Sequence, residues 1–115
     1  MRTLEEIKVL RKNEKEALSE LKSQLKQRIP DAEIILYGSK ARGDSEELSD
    51  IDLLILIDKK VDRKLKEKIV DIRYDIELKY DVVFGLVIEN KNFWDSSLAN
   101  AMPFHKNVER EGILL

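Results

Sequence analysis

A chain of 115 residues, 43% hydrophobic and 38% charged, is long enough for one core and too short for a second catalytic domain. Its 21 basic and 23 acidic residues leave a net charge of -2, which excludes a general attraction to nucleic acid, so any phosphate binding is local. With no cysteine, disulfides, thiolate catalysis and zinc ribbons are excluded; no apolar run approaches membrane-spanning length and no leader is visible, so a cytoplasmic location is the default expectation.

From about residue 3 to residue 28, Leu4, Ile7, Leu10, Leu18, Leu21 and Leu25 recur at helical spacing with Lys and Glu opposite, and Pro30 stops the helix. The charged stretch from Arg11 to Glu16 interrupts the apolar stripe, which points to a break near Asn13. Residues 33–37 read as a first strand, ending in Gly38-Ser39, after which residues 39–42 open a short helix. A second strand from Asp50 to Ile57 is apolar at nearly every position after Asp52, the mark of a central strand buried on both faces. Asp62 is placed to cap a helix carrying Leu65, Ile69, Ile72 and Ile76, and Asp81 opens a third strand, 82–88. Residues 90–115 read as a helical tail with Pro103 in the first turn of its last helix and Gly112 at its end. Trp94 and Phe104 are expected to pack that tail on the sheet, Tyr37 belongs to the buried strand, and the lone His105 reads as a surface or capping residue. The fold class is therefore α/β (α+β): one domain, residues 1–115, with a core at 33–88 and a short mixed sheet covered by helices.

Connectivity places a site. Gly38-Ser39 ends the first strand and Asp50 starts the second, so the two meet only if those strands are antiparallel. The helix between the second and third strands is long enough for a parallel crossover. Both strand starts then lie at one edge, and Asp81 is expected beside Asp50 and Asp52. Asp50 and Asp52, two apart on a strand, project to the same face roughly 7 Å apart. Paired carboxylates are costly unless a cation binds them, and the Gly-Ser turn offers amides and a hydroxyl to the phosphates that accompany such a cation.

Three carboxylates at a phosphate-cradling turn suit two-metal phosphoryl or nucleotidyl transfer, with two Mg²⁺ ions roughly 4 Å apart. Asp50 and Asp52 are the expected bridging ligands, Asp81 the third ligand and helper in removing the acceptor proton. Gly38 and Ser39 are expected to hold phosphates, with Lys40 and Arg42 as charge partners for the same oxygens.

Gly38-Ser39, ten residues, then Asp50-Ile51-Asp52, with Ala41-Arg42-Gly43 between them, Asp81 later and Glu111-Gly112 near the end, resembles the DNA polymerase β-like nucleotidyltransferase superfamily. The resemblance is closest to its minimal nucleotidyltransferases. Small members often carry Arg after the Gly-Ser; Lys40 keeps the charge but loses the bidentate fork. The resemblance implies an antitoxin that transfers AMP from ATP, with Mg²⁺, to a tyrosine of a partner HEPN-domain toxin. The alternatives are a non-catalytic module that neutralises its partner by contact, and a small-molecule nucleotidyltransferase of the aminoglycoside type. No membrane or direct nucleic-acid partner is expected, and a homo-oligomer is compatible with the sequence.

Overall fold

The computed structural model describes residues 10–43 and 50–115. Helix α1 (Lys12–Arg28) is preceded by Arg11, which is extended and forms its N-cap. The expected helical stretch upstream of Leu10 lies outside the described residues. Ala17, Leu18, Leu21 and Leu25 form the buried stripe of α1. Strand β1 (Glu33–Tyr37), the four-residue helix α2 (Ser39–Arg42), strand β2 (Ile51–Ile57) and helix α3 (Arg63–Tyr80) follow close to the expected bounds. The Asp62 carboxylate caps α3 by accepting a hydrogen bond from the Leu65 amide at 2.8 Å.

The third strand starts later than its sequence suggests. Asp81 does not open it but closes α3, in the left-handed conformation with φ 55° and with its amide donating to the Glu77 carbonyl. Aspartate tolerates that conformation better than most residues. Val82 and Val83 then lead back to the sheet, and β3 runs over Phe84–Asn90. The tail holds α4 (Lys91–Trp94), α5 (Ser97–Asn100) and α6 (Pro103–Glu111). Its end is not helical: β4 (Ile113–Leu114) pairs with β1, a short strand that the helical reading of residues 90–115 did not anticipate.

The sheet order is β3-β2-β1-β4, with β2 and β3 parallel and β1 antiparallel to both β2 and β4. This is the expected mixed sheet with β2 inside it. Alternation along β2 divides the core between two faces. Ile51, Leu53, Ile55 and Ile57 meet α1 and α3 through Leu18, Leu21, Ile69 and Ile76. Leu54 and Leu56 face the tail, where they pack with Ile35, Trp94 and Val108, and with Phe104 at the margin. Each fully buried Leu or Ile contributes about 1.5–3 kcal/mol, so the α1/α3 face, with the larger apolar set, carries most of the stability.

Candidate active site

The site lies where β1 ends and β2 begins. Tyr37 is the register partner of Asp52 on one side, and Gly85 is its partner on the other. Both Asp52 and, by alternation, Asp50 belong to the face covered by the tail helices. Chain geometry at this point depends on two glycines. Gly38 has φ 79° and ψ -157°, a region essentially restricted to glycine, and a Cβ there would stand 2.5 Å from Asp52 Oδ2. A Cβ on Gly85 would stand 2.8 Å from Asp52 Oδ1. The Asp52 carboxylate is thus held between two bare backbones, one oxygen towards each.

That carboxylate is short of positive charge. Burial pushes its pKa up, repulsion from Asp50 pushes it further, and Arg42 only partly opposes the rise. The neighbouring Tyr37 hydroxyl is likewise pushed up, first by burial and then by the Asp52 charge. Two carboxylates repelling one another, one of them withdrawn from water, form a donor set that fits a hard divalent cation. Arg42 is held beside them by an ion pair with Glu111 at 2.9 Å, which ties α2 to the end of α6. Tyr37 packs edge-on against Phe104 at 5.2 Å between centroids, and Phe104 meets Trp94 in the same way at 5.8 Å. His105 is buried, not a surface residue, and stacks on Trp94 at 4.2 Å.

Two expected members of the site are placed elsewhere. Lys40 is 1% exposed and its ammonium pairs with Glu14 at 2.8 Å. The reason is the N-terminal end of α1: Glu14 accepts from the Arg11 amide at 2.9 Å as well, and the buried carboxylate needs the Lys40 charge. Asp81 also fails to join the pair. The β2–β3 ladder sets Phe84 opposite Ile51, and the Ile51 amide donates to the Val83 carbonyl, which leaves Asp81 beyond the ladder as the cap of α3. Among the described residues, no three carboxylate or imidazole side chains gather into a metal-holding group. The structure therefore brings together Gly38, Ser39, Arg42, Asp50 and Asp52, and separates Lys40 and Asp81 from them.

Sequence reasoning missed Gly85 and Glu14. A lone glycine inside an apolar strand signals close approach by another group, and that signal was present in the sequence between Phe84 and Leu86. Glu14 gave none, because it sits among charges that all read as a solvated face.

The family model for the nucleotidyltransferase domain matches residues 18–112. A Methanocaldococcus jannaschii protein named "Putative protein adenylyltransferase" is 39% identical over 101 residues, covering 88% of this chain and 92% of its own. A crystal structure described as a "putative nucleotidyltransferase" shares 34% identity with a TM-score of 0.57, covering 85% of this chain and 96% of that one. A crystal structure of a toxin–antitoxin with AMP-PNP has the same TM-score at 21% identity, covering 86% of this chain and 69% of that one, and shows likeness of fold. The chain belongs to the nucleotidyltransferase domain family and is a transferase.

Proposed function

We propose that this protein transfers AMP from ATP to a protein hydroxyl, with Mg²⁺ held by Asp50 and Asp52. The observation that carries this reading is the half-buried Asp52, raised by burial and by Asp50, between the Gly38 and Gly85 backbones. When bound, Mg²⁺ supplies the charge that the pair lacks and polarises the α-phosphate. Gly38 and Ser39 present backbone and hydroxyl donors to the phosphates, and Arg42, anchored by Glu111, offers a guanidinium to the same oxygens. Gly85, with no side chain, leaves room for Asp52 Oδ1 itself. Lys40 holds α2 against α1 and in that way positions the turn. Asp81, the expected ligand of a second ion, stands at the end of α3.

The M. jannaschii relative's name supports a protein as acceptor, and the toxin–antitoxin neighbour supports a toxin partner, for which a tyrosine of a HEPN-domain toxin is the reading implied by the family. Among the described residues no helix is long and apolar enough to cross a membrane, and we place the reaction in the cytoplasm. Incubation with labelled ATP, Mg²⁺ and the partner should label the partner, and Asp52→Asn should abolish labelling; full labelling by that variant would overturn the assignment.

Gly85 favours a second reading, neutralisation by contact alone. The strand position that faces Asp52 carries no side chain, so a third carboxylate is not supplied there. On this reading Asp50→Asn with Asp52→Asn still neutralises the partner in cells while binding it normally in vitro. Loss of neutralisation with binding intact would exclude it.

A further inference from the structure

The long outer edge of the sheet runs past the carboxylates. β3 is the outermost strand beside β2, and its seven residues, Phe84–Asn90, include neither lysine nor proline, the usual guards of an exposed edge. The Ile51 amide donates to the Val83 carbonyl, so alternation turns the backbone groups of Gly85 and Val87 towards β2 and those of Phe84, Leu86 and Ile88 away from it. Both ends of this edge are occupied. The Phe84 amide donates to Glu77 Oε2 at 2.8 Å, and the Asn90 side chain donates to the Lys59 carbonyl and accepts from the Phe93 amide. Between these ends, among the described residues, no hydrogen bond reaches the outward amides and carbonyls of Leu86 and Ile88. Such groups need water or an added strand.

We propose that an extended segment of the partner protein adds to β3 as a further strand, with the hydroxyl residue that accepts AMP lying opposite Gly85. This rests on the AMP-transfer reading above and adds how the acceptor is presented. Gly85 selects the occupant. Residues opposite one another share a sheet face, and Gly85 shares its face with Asp52, its register partner on β2. Asp52 Oδ1 already leans over the glycine, 2.8 Å from where a Cβ would stand. A residue opposite Gly85 on the added strand stands roughly 4.8 Å from the glycine backbone, with no side chain of β3 between it and that carboxylate. A second copy of this chain suits the position less. Paired antiparallel about Val87, it would set Glu89 there, bringing a third negative charge to two that already repel and supplying no hydroxyl. In the transfer, the hydroxyl oxygen bonds to the α-phosphorus of ATP. The bond to pyrophosphate breaks, its electron pair leaves on pyrophosphate, and the hydroxyl proton passes to water.

Proline at an outward position removes an edge donor yet spares the ladder to β2, which uses Gly85 and Val87. Leu86→Pro should lower labelling of the toxin partner, at subsaturating partner, by roughly tenfold or more. Leu86→Ala keeps the amide and loses the packing, and should label as the wild type does. Calorimetry with Mg²⁺ and a non-hydrolysable ATP analogue should show both variants binding nucleotide normally. Equal labelling by Leu86→Pro and Leu86→Ala overturns the proposal. Hydrogen exchange on the wild type needs no variant: the toxin partner should slow exchange of the Leu86 and Ile88 amides by roughly tenfold or more. Unchanged exchange overturns the proposal, and so does slowing that follows the concentration of this chain without the partner, the mark of a second copy. If Leu86→Pro unfolds, as judged by circular dichroism, exchange decides the question alone. Retained labelling by Asp52→Asn would sink the transfer reading without touching strand addition, which exchange still reads.

Discussion

Glu14 and Asp52 stand on either side of α2, both withdrawn from water, and the protein treats them in opposite ways. Burial alone pushes Glu14 up, but its hydrogen bond to Lys40, the Arg11 amide and the two cations more than offset this, and its pKa ends below the ordinary carboxylate value. Asp52 receives no such set. Burial and Asp50 raise it, and Arg42 compensates in part. A buried carboxylate with its counter-charges built in is a structural anchor. One left short of charge beside a second carboxylate is a site prepared for a cation from solution.

The sharpest way to break the contrast is to remove the cation at the anchor. Lys40→Met should destabilise the fold by about 3–5 kcal/mol, because it strands Glu14 in the interior, and adding Glu14→Met should recover most of that loss. Chemical denaturation of the two single variants and the double variant measures it; equal, additive losses would show that the pair is not an anchor. At the site the largest effect is on chemistry. Asp52→Asn should lower AMP transfer by roughly a hundredfold or more and weaken Mg²⁺ binding, read by calorimetry in the presence of a non-hydrolysable ATP analogue. Gly38→Ala comes next: the added methyl meets both a glycine-only backbone and the Asp52 carboxylate, costing about 1–3 kcal/mol of stability together with nucleotide affinity. Unchanged affinity in a folded Gly38→Ala variant would show that the turn does not cradle phosphate.

The smallest effect is the most diagnostic, since its sign differs between the two carboxylates. The native state holds the Asp52 proton more tightly than the unfolded chain does, so this group lowers stability as pH rises from the ordinary carboxylate value through its raised native value. Asp52→Asn should therefore stabilise the apo protein at neutral pH, by about 0.5 kcal/mol or roughly 2–4 °C, while destroying activity. Glu14 works the other way. Its stabilisation is present above the ordinary glutamate value and is lost as pH falls through the lowered native value, so Glu14→Gln should flatten the acid limb of the stability curve. A melting temperature lowered by Asp52→Asn at neutral pH would remove the claim that this carboxylate is short of charge.

Most of the architecture was legible because local patterns agree with the global fold. The apolar run after Asp52 announced an interior strand, Asp62 and the isoleucine spacing announced α3, and that helix was long enough for the crossover that parallel β2 and β3 need. Pattern misled where two local solutions compete for the same residue. Aspartate before a run of valines reads equally well as the start of a strand or the cap of a helix, and Asp81 took the second. β4 went unseen because two residues carry no periodicity, and pairing with β1 is what makes them a strand.

By itself the sequence determined the family signature, the order of the elements from α1 to β3 and the meeting of Gly38-Ser39 with Asp50 and Asp52, since short-range spacing and strand direction suffice for those. Tertiary structure alone decided which charges share the site. Lys40 reads as a phosphate ligand next to Ser39, but a buried glutamate 26 positions earlier claims its charge. Gly85 is one small residue in a strand until the parallel register sets it against Asp52. Whether a charge faces water, a partner or a vacant space depends on groups remote in sequence, and only the packed chain brings those groups together.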